Sequence, residues 1–85
     1  MSESSYQAKI IKQKTKEGWF CIRLLQTNKN GIADWLLAKR GSKGETISYL
    51  IEFKAKGEEP DPLQEYRHRE IELKTGIKTI VMVEP

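Results

Sequence analysis

The sequence predicts a small mixed α/β domain in which a mixed central sheet is flanked by helices, in the element order α-β-β-β-α-β. Three observations predict this fold. Two apolar runs flank the turn-forming residues 41–44 (Gly-Ser-Lys-Gly) and indicate a central β-hairpin. A helix start follows at Asp61-Pro62, and a last apolar run covers Thr79–Val83. The helix between the third and fourth strands allows those two strands to run parallel.

The size and composition limit what this chain can be. Its 85 residues predict one domain, residues 1–85, and its 15 Lys and Arg exceed its 12 Asp and Glu, for a net charge of +3. This mild excess agrees with a polyanionic partner without requiring one. The single Cys21 excludes an internal disulfide and a Cys-rich zinc site. Nothing resembles a signal peptide or a membrane span, so we expect a cytoplasmic protein without a membrane partner.

The first helix is predicted over residues 4–16 and ends at Gly18. Its start has two interpretations. Capping by Ser4 would leave Glu3 just outside the helix, whereas capping by Ser2 would place Glu3 in the first turn. The residues do not decide between them.

Residues 19–25 are predicted as a strand with apolar side chains on both faces, so we expect it to be covered on both sides. Arg23 is the exception and needs an anionic partner or a route to solvent. It is interpreted equally as a structural ion-pair partner or as a phosphate contact. Cys21 is interpreted as a small core residue, and His68, between two arginines, as a solvated surface residue.

The hairpin register places two acids opposite each other. If Arg40 pairs with Thr46, Asp34 lies directly opposite Glu52, with Lys54 on the same face. Opposed residues have Cβ atoms roughly 4.5–5.5 Å apart, and like charges so placed cost stability unless a cation lies between them. The pattern therefore predicts a metal site. Both hairpin strands are apolar on both faces, which predicts a central position in the sheet.

The second helix has a strong predicted start and end. Asp61 is the N-cap, Pro62 the first helical residue and Gln64 the third-position partner of a capping box. We expect the helix to continue to about Thr75 and to end at Gly76.

Taken together, these residues resemble the PD-(D/E)XK nucleases, and specifically the VRR-NUC (virus-type replication-repair nuclease) domains. The resemblance covers nearly the whole chain. It rests on an acid in an early helix, Gly31-x-x-Asp34, Glu52-x-Lys54, and Gln64 on the following helix. It implies a restriction-endonuclease-like core. The family usually has Pro at the position of Ala33, a departure that loosens the φ restraint before the aspartate but removes no ligand.

The resemblance also implies roles for individual residues. Asp34, Glu52 and the backbone carbonyl of Phe53 match the metal ligands, and Lys54 matches the catalytic lysine that orients the attacking water. Glu3 matches an acid that reaches the metal through water. Its alternative interpretation is a charge placed favourably at a helix terminus.

The remaining candidates lie around this centre. Gln64 and Gln7 match glutamines that line the site, although Gln64 is also explained as a capping residue and Gln7 as a surface amide. Arg23, Gln7 and Lys56 are the candidates for contact with nucleic acid. Hard oxygen ligands of this kind suit Mg²⁺ or Mn²⁺.

The function that the resemblance implies is a metal-dependent DNA endonuclease. Stand-alone VRR-NUC domains resemble Holliday-junction resolvases, so we expect a homodimer that acts on branched DNA in phage or bacterial replication, repair or recombination. Trp19, Trp35 and Tyr66 are the candidates for the dimer contact. Two alternatives stay open: a catalytically silent nucleic-acid-binding module of the same fold, and a small protein–protein adaptor.

Overall fold

The computed structural model describes the backbone of residues 3–85 and the side chains from residue 4 onward. Its elements are α1 (Glu3–Lys16), β1 (Phe20–Arg23), β2 (Trp35–Arg40), β3 (Thr46–Lys54), α2 (Pro62–Thr75) and β4 (Thr79–Val83). The predicted element order and the mixed α/β class are confirmed.

The four strands form one sheet in the order β1-β2-β3-β4. The first two pairings are antiparallel and the pairing of β3 with β4 is parallel. The hairpin ladder runs from Arg40–Thr46 to Trp35–Ile51, which is the predicted register. The central position of β2 and β3 is confirmed as well.

The prediction that the first strand is covered on both faces is wrong. Strand β1 is a four-residue edge strand. Cys21 faces the core, but Phe20 and Ile22 on the opposite face are 69% and 41% exposed. The apolar pattern does not reveal that β1 lies at the sheet edge, where α1 packs against one face. Arg23 is exposed there, which is its route to solvent.

The core lies between α1 and one face of the sheet. It is built on Leu37, Ile51 and Phe53, each at most 2% exposed. From α1, Tyr6 packs edge-on against the ring of Phe53, with centroids 5.9 Å apart. Full burial of one such apolar side chain stabilises the fold by about 1.5–3 kcal/mol. The middle of β3 is therefore held rigidly, and its other face carries the acid Glu52.

Helix α1 ends as predicted, and its start excludes capping by Ser4, one of the two predicted interpretations. Gly18 has φ of 97°, and the N–H of Trp19 donates to the carbonyl of Lys14 at 3.1 Å, as in a Schellman cap. Because α1 includes Glu3, Ser4 is not its N-cap. Ser2, the alternative cap, lies outside the described residues.

Helix α2 confirms its predicted ends. The side chain of Asp61 accepts from the N–H of Gln64 at 2.9 Å, and Oε1 of Gln64 accepts from the N–H of Asp61 at 3.0 Å. Gly76 takes a left-handed conformation with φ of 78° and ends the helix. These reciprocal bonds satisfy two of the backbone N–H groups that a helix start leaves unpaired.

Candidate metal centre

Asp34 lies one residue before β2 and is held at three points. Its N–H donates to the carbonyl of Ile51 at 3.0 Å, and its carbonyl accepts from the N–H of Leu24 at 2.9 Å. Its Oδ2 accepts from the N–H of Phe53 at 2.7 Å. The regular β2–β3 ladder ends at the pair Trp35–Ile51. Beyond this pair, the carboxylate of Asp34 replaces a backbone carbonyl of β2 as the acceptor for the N–H of Phe53 in β3.

Glu52 is a buried acid at the centre of the candidate site. It is 3% exposed, and its Oε1 has no hydrogen-bond partner within the described chain. Burial, followed by the negative charge of Asp34, raises the pKa of Glu52 to about 7, while the charge of Lys54 lowers this pKa. A hydrogen bond between the two carboxyl groups adds to the increase. A cation between these acids would stabilise both as carboxylates.

Lys54 ends β3 two residues after Glu52 and therefore lies on the same face of the sheet. Its side chain is half-buried and its backbone carbonyl accepts from the N–H of Glu84 at 2.9 Å. The strand end is thus fixed to β4 rather than frayed. The ammonium group is close enough to Glu52 to lower its pKa.

The backbone carbonyl of Phe53 lies on the same edge of β3 as Asp34. In an extended strand, the N–H and C=O of one residue point to the same side, and the N–H of Phe53 points to Asp34. Two carboxylates and one backbone carbonyl are therefore directed to one region. Oxygen donors of this kind fit Mg²⁺ or Mn²⁺, and the unpartnered Oε1 of Glu52 supports that fit.

His68 also belongs to this site, and its interpretation as a solvated surface residue is wrong. Its side chain is 12% exposed, and its Nε2 lies 3.6 Å from Oε1 of Glu52. Burial lowers the pKa of His68, which favours the neutral imidazole. One signal in the sequence could have found it: His68 follows Gln64 by four residues, so both lie on one face of α2.

Two contacts hold α2 against the loop that precedes β2. Nε of Arg67 donates to the carbonyl of Asn30 at 2.9 Å. Gly31 has φ of 78°, and a Cβ at this position would lie 2.9 Å from the backbone oxygen of Leu63. Glycine is therefore required at this position of the Gly-x-x-Asp motif for local structural reasons, because it permits both a left-handed backbone and the close approach of α2.

For Gln64 and Glu3, two of the predicted site residues, the structure gives no side-chain contact with Asp34 or Glu52 among the described residues. The side-chain carbonyl of Gln64 is used in the capping box, which leaves its amide NH₂ as the group that could reach a ligand. Glu3 lies in the first turn of α1, but its side chain is outside the described residues.

The candidates for nucleic-acid contact are not gathered around Glu52. Oε1 of Gln7 accepts from Nε1 of Trp35 at 3.2 Å, and the guanidinium of Arg23 lies 5.8 Å from the centroid of the same indole. These three side chains line one cleft beside α1, on the sheet face opposite Glu52. Lys56 is exposed in the turn after β3, close in sequence to Lys54.

Among the described side chains, no three or more from His, Cys, Asp and Glu form a ready-made metal cage. The acids and the imidazole instead meet in two pairs, Asp34 with Glu52 and Glu52 with His68. Glu52 is the member common to both pairs. An ion bound at either pair would therefore need Glu52 as a ligand.

The comparisons with known proteins identify no relative. No protein-family model matches the chain, and neither a curated protein nor a solved structure matches it. Over residues 3–85, no helix has the length and apolar character needed to cross a membrane.

Proposed function

We propose that this protein is a divalent-metal-dependent DNA endonuclease of the VRR-NUC type. One observation carries the proposal: the buried carboxyl group of Glu52 lies beside the carboxylate of Asp34, with Lys54 on the same strand face. A purely structural role does not explain why Asp34 is held beside Glu52, a second acid whose charge is disfavoured by burial.

Asp34, Glu52 and the carbonyl of Phe53 would hold Mg²⁺ or Mn²⁺. A bound ion of this class supplies a Lewis acid for a phosphate oxygen and makes a bound water more acidic. The chain contributes the fixed positions. Asp34 is held by the backbone N–H of Phe53, and Glu52 by the central strand on which it lies. Donors fixed before the ligand arrives need no rearrangement during the reaction.

Lys54 would orient the attacking water and donate to a non-bridging phosphate oxygen. In the hydrolysis, the water oxygen forms a new bond to phosphorus, one P–O ester bond breaks, and the departing sugar oxygen gains a proton. Negative charge develops on the phosphate oxygens during this exchange. A compact ammonium group on a half-buried, well-anchored strand end is suited to stabilise that charge.

Branched DNA and a homodimer belong to the same proposal. A single 9.8 kDa chain offers little surface with which to recognise a junction, whereas a twofold dimer presents two sites to two strands. Of the three aromatic candidates for the dimer contact, Trp19 and Trp35 pack against the core. Tyr66 is 55% exposed on α2, and Leu73, about two helical turns further on, is 87% exposed. We place the isologous contact at this surface of α2.

The test is a cleavage panel of linear, nicked, flapped and four-way DNA, with Mg²⁺, with Mn²⁺ and with EDTA. We expect metal-dependent cleavage, with paired symmetric incisions on the four-way substrate and a solution mass near twice 9.8 kDa. Equal cutting of all substrates by a monomer would refute the junction specificity alone. Salt-sensitive DNA binding without any cleavage would favour a silent nucleic-acid-binding module.

A further inference from the structure

Two buried polar atoms face each other across the contact between β3 and α2. Oε1 of Glu52 and Nε2 of His68 are 3.6 Å apart, and neither has a hydrogen-bond partner within the described residues. This distance is too long for a direct hydrogen bond. Buried polar atoms are normally satisfied, so a pair like this one calls for a third group between them.

The distance between the two atoms indicates what that group is. Two donors bound about 2.1 Å from one ion lie about 3.0–3.6 Å apart when the angle at the ion is about 90–120°. A water that bridges two groups through hydrogen bonds of about 2.8 Å, at a tetrahedral angle, would separate them by about 4.5 Å. The observed 3.6 Å agrees with a shared metal ion and is short for a bridging water.

We propose that His68 is a nitrogen ligand of the metal at Glu52, and that the site therefore selects a divalent first-row transition ion such as Mn²⁺ or Co²⁺ over Mg²⁺. Imidazole is a good ligand for these ions, whereas Mg²⁺ prefers oxygen donors. This inference rests on the proposed metal site and adds the ligand that decides which ion it holds.

The structure supports His68 as a positioned ligand. Helix α2 is fixed against the loop before β2 by the Arg67–Asn30 hydrogen bond and by the close contact of Leu63 with Gly31. The imidazole is therefore directed at Glu52 by a helix that is held near its start. The Nε2 atom of His68, 3.6 Å from Oε1 of Glu52, is the ring nitrogen that lies nearest the carboxyl group.

One property of the chain makes the test sharp: His68 is its single histidine. Pulsed EPR of untagged protein loaded with Mn²⁺ detects a coordinated imidazole nitrogen directly, and any such signal can come only from His68. We expect nitrogen coupling in the wild type and none in His68→Gln. Calorimetric titration should show that His68→Gln weakens Mn²⁺ binding about tenfold or more while Mg²⁺ binding is nearly unchanged.

Arg69→Gln is the matched control, because it introduces the same side chain at the next, exposed position of α2 and should change neither ion's affinity. Mn²⁺ that binds in a Glu52-dependent manner but without nitrogen coupling would overturn this inference and leave the proposed metal site intact. Failure of the wild type to bind either ion would overturn both. Should His68→Gln not fold, the spectrum of the wild type alone decides.

Discussion

The backbone N–H of Phe53 donates to Oδ2 of Asp34 at 2.7 Å, so the strand that carries Glu52 also holds the carboxylate of Asp34 in place. The two acids are 18 positions apart in the sequence (52 minus 34), and the hairpin between them sets their separation in space. The site is therefore as rigid as the hairpin. Substitutions of Asp34 should therefore separate the effect of its hydrogen bond on stability from the effect of its charge.

Asp34→Ala should lower the stability of the metal-free protein, whereas Asp34→Asn should not. Asparagine keeps an oxygen that can accept from Phe53 and removes the charge that raises the pKa of Glu52, so the metal-free protein should melt at the same temperature or higher. Alanine leaves the N–H of Phe53 unpaired and should cost about 1–3 kcal/mol. Neither variant should show the increase in melting temperature that Mg²⁺ or Mn²⁺ gives the wild type.

Thermal melts of both variants with EDTA and with each ion provide the check. Equal loss of stability in the two variants would contradict this prediction, because it would show that the asparagine oxygen does not replace the carboxylate as acceptor for the N–H of Phe53. A metal-induced shift that survives in Asp34→Ala would remove Asp34 from the site.

Without metal, the stability of the fold should depend on the protonation of Glu52. Its pKa is 4.5 ordinarily and about 7 in the fold, so between these values the folded chain holds a proton that the unfolded chain has lost. Stability from this group is complete below pH 4.5 and is lost as the pH rises through 7, by at most about 3 kcal/mol. His68 has the opposite sign: its pKa is lowered, so its contribution is lost as the pH falls.

Urea unfolding of the wild type and Glu52→Gln, in EDTA across pH 4.5–8, separates the contribution of Glu52 to stability from that of His68. The glutamine variant lacks the titrating acid, so its advantage over the wild type should grow as the pH rises. Parallel pH profiles for the two proteins would contradict a raised pKa at Glu52.

Lys54→Met should lower the cleavage rate by about 10²–10³ while metal and DNA binding are largely kept, since the ammonium acts on charge that develops in the transition state. Lys43→Met is the control, because this exposed lysine lies in the hairpin turn, at the other end of the hairpin from Lys54. Single-turnover cleavage rates check this prediction. Wild-type rates in Lys54→Met, or equal losses in the two variants, would remove the specific role of Lys54.

Gly31→Ala should destabilise the protein more than Gly44→Ala. Both glycines have a left-handed backbone, with φ of 78° and 82°, so the conformational cost of about 1–2 kcal/mol is shared. At Gly31 the new Cβ would meet another backbone, the carbonyl of Leu63, whereas at Gly44 no atom of the described residues lies within 4 Å. The difference between the two unfolding free energies measures how closely α2 approaches the loop. No difference would contradict the described position of α2.

The elements of the fold were predictable because their signals are local. The turn at residues 41–44 sets the hairpin register, and the cap at Asp61 and the stop at Gly76 set the ends of α2. The exposed face of β1 was not predictable, because an apolar pattern does not indicate whether a strand lies at the edge of a sheet.

In the candidate site as well, contacts set by local sequence were predictable and contacts between distant elements were not. The pairing of Asp34 with Glu52 follows from the hairpin register, whereas the contact of His68 with Glu52 depends on how α2 packs on the sheet. The partner of Gln7 is Trp35, 28 residues away in the sequence, and no periodicity specifies that contact. Side chains whose neighbours come from another element need the packed structure.

Nicking of supercoiled plasmid DNA shows whether the protein is a metal-dependent nuclease. Purified, untagged, metal-free wild type and Glu52→Gln are each supplied with Mn²⁺ or Mg²⁺. Glu52 is the residue common to both pairs of possible metal ligands, so its loss should remove the activity while the fold, followed by circular dichroism, persists. We expect metal-dependent nicking by the wild type and none by the variant. Nicking that Glu52→Gln retains, or that proceeds fully in EDTA, would contradict this expectation.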